Sequence, residues 1–372
     1  MKITCKREPL AAAFQLAAGV APSRTAKEIL QNIKLSFVDG KLILEATDLE
    51  VGIRLEVANV EADSSGAILL PVQRTGAILR ESNAEEMTIE TVDNNVLIKA
   101  GRSRFRLPSA NADEFPRVPG FDADIYHEIS TGLFKELVRR TVFATDVESS
   151  RYALGGVLLE LDADKVIAVA TDGRRLARME GTGNSVSGHK TNGMNTIVPV
   201  RAMALIDRAL SDKDGTLQVA ARANDLLVRT NQWTIYSRLV EGRYPNWRQV
   251  IPTRNKAICI ELTVGPLFNA LRQAAIVSDQ ESRGIDFTFS EGSLKLDANT
   301  AEIGESHVEI PIAFTGDLLK VTLDNRFVAD FCKVLSPEAT IVLNIESSDK
   351  PALLTTDDGY AYVIMPMSRD RK

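Results

Sequence analysis

The 372-residue sequence has few of the features by which several classes of protein are recognised. Its three cysteines, Cys5, Cys259 and Cys332, lie far apart and form no C-x-x-C pair, so neither a disulfide framework nor a zinc site is expected. It has no apolar run of about 18 residues, which argues against a membrane-spanning helix. Its first residues include no apolar stretch of a secretory signal. Together these absences predict a protein of the reducing cytoplasm that has no membrane partner.

Motifs of enzyme chemistry are also missing. The sequence contains no G-x-S-x-G, H-E-x-x-H, Walker or EF-hand pattern, and the Gly-Thr-Gly that begins at Gly181 does not continue into a dinucleotide-binding motif. The histidines His127, His189 and His307 fall in a linker, a loop and a strand edge, where we expect each to be solvated. The stretch 181–193 is rich in Gly, Ser and Asn and predicts a flexible loop. The pattern favours a protein without catalytic activity, metal or cofactor.

Positive charge is in slight deficit, because 44 lysines and arginines face 50 aspartates and glutamates, a net charge of −6. An acidic balance ordinarily argues against a nucleic-acid partner. The six segments that we predict to be helices nevertheless carry eleven basic and only six acidic residues, so they hold +5 and the remainder −11. These segments are 7–19, 71–82, 130–144, 199–210, 263–277 and 324–335. Their charge indicates either solvated helix faces or a basic layer that contacts phosphates without reading sequence.

Internal repetition is the strongest positive feature of the sequence. Two alternating strands around an acidic or glycine-containing turn occur at 32–48, 156–172 and 285–299, and the first two copies end in Ala-Thr-Asp, 124 residues apart. A segment of helical period precedes and follows each strand pair, and a further hairpin closes each unit. The unit occurs three times, which predicts an α+β fold of three repeated domains, each with two helices packed on antiparallel sheets. We place these domains at 1–122, 129–253 and 256–372.

Two Thr-Asp pairs, Thr47-Asp48 and Thr171-Asp172, could be taken for catalytic groups. They recur at equivalent places in two of the repeats. An enzyme rarely needs the same constellation in several copies, whereas Thr and Asp are common in turns and caps. We therefore predict a structural role for both pairs.

Four motifs carry a family resemblance. They are Ala-Thr-Asp-Gly-Arg-Arg-Leu-Ala at 170–177, Gly-Arg-Ser-Arg-Phe at 101–105, Glu-Gly-Arg-Tyr-Pro at 241–245 and Tyr-Val-Ile-Met-Pro-Met at 362–367. Combined with the triple repeat and the length, they closely resemble the bacterial sliding clamps, the β subunits of DNA polymerase III. The resemblance covers essentially the whole chain.

The resemblance implies a DNA-clamp fold that assembles into a head-to-tail homodimeric ring of six domains. Duplex DNA would pass through the ring independently of sequence, and the ring would be a processivity factor that tethers the replicative DNA polymerase subunit. Other proteins with a clamp-binding motif would use the same peptide pocket, and an ATP-dependent clamp loader would open the ring. Basic helices inside an acidic shell suit such a tether, because contacts to phosphates do not grip the bases.

The resemblance also assigns residues to three surfaces. A hydrophobic pocket for partner peptides, between the second and third domains, is implied at Leu154, Thr171, Gly173, Arg174, Arg175, Leu176, Pro245, Val250, Val363, Met365, Pro366 and Met367. DNA contact is implied at Arg24, Arg74, Ser149, Arg151 and Tyr152, to which the charge count adds Lys135, Arg139, Arg201 and Arg208. The dimer interface is implied at Arg102, Arg104 and Phe105 of one chain, facing Ile276, Val277, Glu302 and Glu305 of the other. Within the pocket we expect Arg174 and Arg175 to steer acidic peptide ends.

The chain departs from the family pattern near these surfaces. It has Gln249 where an arginine is common, Ser282 where an aromatic residue is common, Phe327 in place of tyrosine and Asp324 in place of asparagine. It also ends in a charged tail at 368–372. We expect these changes to affect the rim of the pocket and its peptide preference.

Two other classes of protein stay open on the sequence alone. One is a closed scaffold that binds peptides but encloses no DNA, and the other is a hydrolase with an unrecognised site. Retention on circular DNA separates a clamp from a scaffold. Turnover of a nucleotide or an ester by the purified chain would indicate the hydrolase.

Overall fold

The computed structural model describes residues 1–146, 148, 152–191, 193–211, 215–252, 257–278 and 283–367. The chain divides into two compact units. Unit 1 comprises Met1–Phe134, Asp162–Asp164 and Gly183–Leu239, and unit 2 comprises Lys135–Leu161, Lys165–Thr182 and Val240–Lys372. Each unit thus combines a terminal repeat with part of the middle one.

All six segments predicted to be helices are helical, within three residues of their predicted ends, and two continue into short 3-10 turns at Val142–Ala144 and Ala275–Val277. Each α-helix buries one apolar stripe, as α1 does with Leu10, Phe14 and Ala17. The α-helices are α1 (Arg7–Ala18), α2 (Val72–Glu81), α3 (Thr131–Thr141), α4 (Val200–Ala209), α5 (Val264–Ala274) and α6 (Asn325–Lys333).

Unit 1 contains two antiparallel sheets. Its strands are β1 (Lys2–Lys6), β2 (Asn32–Val38), β3 (Lys41–Thr47), β4 (Val51–Val57), β5 (Val60–Ala62), β6 (Gly66–Pro71), β7 (Glu86–Val92), β8 (Asn95–Ala100), β9 (Ser103–Pro108), β10 (Tyr126–Ser130), β14 (Asn184–Val186), β15 (Ile197–Pro199), β16 (Thr216–Ala221), β17 (Asp225–Arg229) and β18 (Trp233–Arg238). One sheet has the order β5–β1–β7–β8–β9 and the other β14–β10–β16–β17–β18–β4–β3–β2–β6, and β15 belongs to neither of these two sheets. In the second sheet, β4 of the first repeat pairs with β18 of the middle repeat, with Trp233 opposite Leu55. One continuous sheet therefore joins these two repeats.

Unit 2 joins the middle and last repeats in the same way. Its strands are β11 (Gly156–Asp162), β12 (Lys165–Thr171), β13 (Arg175–Thr182), β19 (Ile258–Thr263), β20 (Gly284–Ser290), β21 (Ser293–Thr300), β22 (Gly304–Pro311), β23 (Leu319–Asp324), β24 (Thr340–Ile345), β25 (Ala352–Thr355) and β26 (Tyr360–Ile364). One sheet contains the order β11–β12–β13–β26–β25–β24–β19, and another has β22–β21–β20–β23. Here β13 pairs with β26, with Arg175 opposite Ile364 and Leu176 opposite Val363. The join again uses the strand that follows a Thr-Asp turn.

The stretch 181–193, predicted to be a flexible loop, is partly built into the sheets, at 181–182 and 184–186. Strand β13 runs through its first two residues, and β14 then pairs with β10 beside His127. The chain turns at Ser187 and Gly188, both with positive φ, and places His189 inside the protein. The Gly/Ser/Asn composition therefore marks a tight turn rather than a loop, because such residues tolerate a positive φ.

The prediction that all three histidines are solvated is wrong for two of them. His127 is fully buried and His189 is 5% exposed, and their Nδ1 atoms lie 2.7 Å apart. The N–H of Ala221 donates to His189 Nε2 at 3.1 Å, and His127 Nε2 lies 3.2 Å from the carbonyl of Ala163. The prediction failed because the rings are 62 residues apart and neither neighbourhood reveals the other. His307 is exposed, as predicted.

Candidate functional site

The Thr171-Asp172 motif builds the turn between β12 and β13. Asp172 Oδ1 accepts the backbone N–H groups of Arg174 and Arg175, each at 2.9 Å. The Thr171 hydroxyl donates to the carbonyl of Arg175 at 2.6 Å. Gly173 supplies the positive φ of 87° on which the turn depends. The turn therefore fixes the first residues of β13 before any partner is bound.

The Thr47-Asp48 motif makes the same turn between β3 and β4. Asp48 Oδ1 accepts the N–H groups of Glu50 and Val51 at 2.9 and 2.7 Å, and the Thr47 hydroxyl donates to the Val51 carbonyl at 2.9 Å. Both turns lead into a strand that joins two repeats. The predicted structural role of the Thr-Asp pairs is confirmed.

Arg175 is a buried ion-pair centre. Its Nε donates to Asp172 at 3.0 Å, Nη1 to Asp330 at 2.8 Å and Nη2 to the carbonyl of Phe143 at 2.7 Å. Burial alone would lower the pKa of the guanidinium, but Tyr362 and the two aspartates raise that pKa overall, so the group keeps its charge. The expectation that Arg175 steers acidic peptide ends does not fit this geometry, because each guanidinium nitrogen already has a partner inside the protein.

Strands β12, β13 and β26 bring the central pocket residues together. Thr171 lies opposite Leu176, and Leu176 lies opposite Val363. The ladder continues where the N–H of Met365 donates to the carbonyl of Arg174 at 2.9 Å. Leu176 and Val363 are buried, whereas Met365 is 42% exposed. The arrangement is an apolar floor bordered by a flexible methionine and an exposed arginine, which suits an apolar peptide.

The other predicted pocket residues lie on adjoining segments of unit 2. The hydroxyl of Tyr244 donates to the carbonyl of Val169 on β12 at 3.0 Å, which anchors the segment that carries Pro245 and Val250. The remaining residues are Leu154 (buried), Pro366 (half-buried) and Gly173, Pro245, Val250 and Met367 (exposed). All twelve therefore belong to one unit.

The predicted DNA-contact residues are mostly exposed cations. Arg201 pairs with Asp48 and donates to the carbonyl of Val20 at 2.8 Å, and Arg139 pairs with Glu136 at 2.7 Å. Exposed members are Arg24, Arg74, Arg139, Arg201 and Arg208, and Lys135 is half-buried. Ser149, Arg151 and the side chain of Tyr152 lie outside the described residues.

Two of the eleven helix cations counted from the sequence are turned inward. Arg140 on α3 pairs with Asp358 at 2.7 Å and lies 5.3 Å from the centre of the Tyr360 ring. Arg7 on α1 donates to the backbone carbonyls of Leu79 and Ala84. The charge that the helices present to solvent is therefore less positive than the composition suggested.

The predicted interface residues line two exposed sheet edges of opposite charge. β9 ends its sheet in unit 1 and carries Arg104 and Phe105, just after Arg102. β22 ends its sheet in unit 2 and carries Glu305, just after Glu302. All five side chains are exposed. Each edge presents backbone donors and acceptors to which a further strand can pair.

Apolar groups accompany both edges. Phe105 borders a cavity of about 520 Å³ that Ala77, Ile78 and Ala100 also line. On unit 2, Ile276 is 76% exposed in the 3-10 turn after α5, next to the half-buried Val277. An exposed apolar side chain and an apolar cavity are a suitable pair for a protein interface.

One cluster beside the pocket was not predicted. Glu160 binds both Trp247 and Arg248, which lie directly before Gln249 and Val250. The proximity of Trp247 and Arg248 to the Glu-Gly-Arg-Tyr-Pro motif was a usable signal, but no pattern in the sequence indicated Glu160. The described residues contain no group of three or more side chains that could hold a metal ion. In that same part of the chain, no helix is long and apolar enough to cross a membrane.

Comparison with known proteins places this geometry in a family. Models of the N-terminal, central and C-terminal domains of the DNA polymerase III beta subunit match residues 1–119, 128–246 and 248–368. The beta sliding clamps of Pseudomonas aeruginosa and Escherichia coli K12 are 31% and 30% identical to the chain, each over 99% of this chain and 100% of the relative.

A solved structure gives the same result. The sliding clamp of Pseudomonas aeruginosa bound to griselimycin superimposes with a TM-score of 0.92 at 30% identity, over 99% of this chain and all of that one. The predicted fold class of three repeated α+β domains is confirmed. The chain belongs to the DNA polymerase III beta-subunit family, the bacterial sliding clamps.

Proposed function

We propose that two copies of this chain form a head-to-tail ring of six repeats that encircles duplex DNA and acts as a processivity factor without catalytic activity. The ring works in the cytoplasm and is opened by an ATP-dependent clamp loader. Its apolar pocket binds the replicative DNA polymerase subunit and other proteins with a clamp-binding motif. No cofactor takes part.

The observation that carries this proposal is the way in which repeats join. In each join, the fourth strand of one repeat pairs with the last strand of the next: β4 with β18, and β13 with β26. The third repeat has the equivalent strand β22 exposed at a sheet edge, and the first repeat has its last strand β9 exposed at another. Pairing β22 of one copy with β9 of a second copy extends the same rule. Two such contacts close the assembly and leave neither β9 nor β22 unpaired.

The charges and apolar groups of the two edges support that pairing. Arginines of β9 would face glutamates of β22, which favours the correct partner and disfavours a like-charged edge. Ile276 would have an apolar cavity near Phe105 as its counterpart. The contact is between different surfaces, and it closes after two copies only if the geometry of each join is kept.

The exposed arginines support a DNA contact that does not read sequence. Arg24, Arg74 and Arg208 are exposed and offer positive charge to phosphate groups. Such contacts are weak and fall with salt, which permits sliding. The ring itself, rather than affinity, would keep the protein on DNA.

Linearisation of a circular template tests the proposal. The chain is loaded onto nicked circular duplex DNA with a clamp loader and ATP, and free protein is removed by gel filtration. We expect protein to co-elute with the circle and to be released after a restriction enzyme linearises it. Retention on the linear product would contradict topological binding, and so would a persistent monomer of 40.7 kDa at micromolar concentration.

A further inference from the structure

A single carboxylate holds two consecutive residues beside the pocket. Trp247 and Arg248 lie in a 3-10 turn, Trp247–Gln249. We call the stretch 245–250 that contains this turn the rim segment. Glu160 on β11 accepts the indole N–H of Trp247 at 3.1 Å. It also accepts two guanidinium N–H groups of Arg248, at 3.0 and 2.6 Å. The Cζ atom of Arg248 lies 4.2 Å from the centre of the Trp247 ring.

The cluster fixes the rim segment from inside. Trp247 is 6% exposed, so its indole N–H must find a protein partner, and Glu160 is that partner. Arg178 lies 5.9 Å from the same ring. Burial and the neighbouring charge of Arg248 both lower the pKa of Arg178. The indole is therefore enclosed by two guanidinium groups and held by one carboxylate.

The cluster also sets the charge of the rim segment. Arg248 lies two residues before Val250, and its guanidinium forms two hydrogen bonds with the carboxylate of Glu160. The following residue, Gln249, is neutral. An arginine whose guanidinium is paired with a carboxylate through two hydrogen bonds attracts a second anion only weakly.

We infer that Glu160 is a positioning residue for the peptide pocket. It holds the rim segment in one geometry through Trp247. It also withholds the charge of Arg248 from a bound peptide, so that the pocket selects apolar residues rather than acidic residues that flank them. This inference deepens the proposed peptide binding and rests on it.

Two substitutions of Glu160 separate these roles. Glu160→Gln keeps a side-chain oxygen for the indole N–H but removes the charge that binds Arg248. Glu160→Ala removes both. The double variant Glu160→Gln/Arg248→Gln removes the freed cation and is the matched control.

Peptide charge preference is the first measurement. The probes are a fluorescein-labelled seven-residue peptide of leucine, phenylalanine and glycine, and the same peptide extended by two aspartates, titrated by fluorescence anisotropy at low salt. We expect Glu160→Gln to raise the affinity for the acidic peptide relative to the neutral one by about threefold over the wild type, the effect of one exposed charge contact. The double variant should return the ratio to that of the wild type. An unchanged ratio in Glu160→Gln overturns the charge role.

Tryptophan emission is the second measurement and needs no peptide. Glu160→Ala should increase the acrylamide quenching of Trp247 by about twofold, since the indole loses its partner, whereas Glu160→Gln should stay near the wild type. The difference should vanish in a Trp247→Phe background, because Trp233 bonds to Ala209 instead. Equal quenching in all three chains overturns the positioning role.

The two measurements also distinguish failure of this inference from failure of the proposed pocket. Met365→Ala should weaken both peptides equally, because it removes apolar lining without changing charge. If the wild-type chain binds neither peptide, the pocket proposal fails. The emission comparison then still decides whether Glu160 fixes the rim segment.

Discussion

The hydrogen bonds around His127 and His189 run in one direction. His189 Nε2 lies 3.1 Å from the N–H of Ala221 and 3.3 Å from the Ala221 carbonyl. We assign the shorter contact as the hydrogen bond, with Nε2 as acceptor, so the neutral ring carries its proton on Nδ1. That proton is donated to His127 Nδ1, which leaves His127 Nε2 to donate to the carbonyl of Ala163. The two protons are assigned from this network. An added proton on His127 Nδ1 would place two N–H groups face to face, 2.7 Å apart at their nitrogens.

This pair predicts a loss of stability in mild acid. Burial lowers the pKa of both rings, and the charge of His189 lowers the pKa of His127 further, although Asp162 and the two facing carbonyls raise these values in part. The unfolded chain takes up protons near pH 6.5, whereas the folded chain resists them. Stability is therefore full above about pH 7 and falls below about pH 6.5, by at most ~1.4 kcal/mol per pH unit for each histidine. Urea denaturation between pH 5 and 8 measures it.

Controls for this pH dependence are available in the chain. His127→Leu/His189→Leu removes both buried rings and should flatten the profile, whatever its overall stability. His307→Gln should keep the decline, because Asp297 raises the pKa of that exposed ring. Histidine NMR shifts provide a direct check, and two buried rings that titrate at pH 6.5 or above in the folded protein would contradict the prediction.

The location of Arg175 could be predicted from the sequence, whereas its ion-pair partners could not. Its position in the Thr-Asp-Gly-Arg-Arg motif pointed to the pocket, and the structure does place it on β13 beside Leu176. Its bond to Asp330, 155 residues away, was not predictable, because only the packed fold brings α6 next to β13. The sequence therefore predicted the location of Arg175 but not the carboxylates with which it forms ion pairs.

At the scale of elements, the helices and hairpins followed from local pattern. Apolar positions at helical spacing located all six helices, because each buries one stripe. The hairpins at 95–108 and 284–300 likewise followed from alternation and turn residues. Strand β14 was missed, since three residues are too short for a periodic signal.

The prediction at the scale of elements concerns the exposed strands β9 and β22. Arg104→Glu on β9 or Glu305→Arg on β22 should each weaken the dimer at least tenfold, because either places like charges across the proposed contact. A chain with both substitutions exchanges the two charges and should regain the dimer. Sedimentation velocity at several concentrations measures this.

The matched control for the edge variants is Lys41→Glu, which changes the same charge at an exposed hairpin end of unit 1. It should leave the dimer unchanged. Failure of the doubly substituted chain to recover, while it stays folded by circular dichroism, would count against the pairing of β9 with β22.

At the scale of the whole molecule, retention on DNA by enclosure and binding to DNA by charge should respond differently to salt. Protein loaded on a nicked circle should survive 0.5 M NaCl, whereas binding of the same protein to a short linear duplex should fall steeply with salt. Arg24→Ala/Arg208→Ala should weaken binding to the linear duplex and leave retention on the circle intact. Gel filtration and anisotropy measure the two quantities. Loss of both at the same salt concentration would mean that charge, rather than enclosure, holds the DNA.

The net charge of −6 shows why whole-molecule composition was a poor guide. The helices hold an excess of basic residues, so the sum hides their segregation from the acidic remainder. The structure then removes Arg7 and Arg140 from the exposed set, because both are turned onto internal acceptors. The position of each charged residue in the sequence shows the segregation of charge. Only the fold decides which of these side chains face solvent.

The sequence by itself determined the triple repeat, the helices, the main hairpins and the Thr-Asp turns, because each depends on residues close together in the chain. It also carried the family motifs. The tertiary structure alone decided how repeats join, through β4 with β18 and β13 with β26. It alone decided the partners of Arg175, the burial of His127 against His189, and the hold of Glu160 on the rim segment. These are contacts between residues far apart in sequence, and no local pattern encodes which distant strand or side chain completes them.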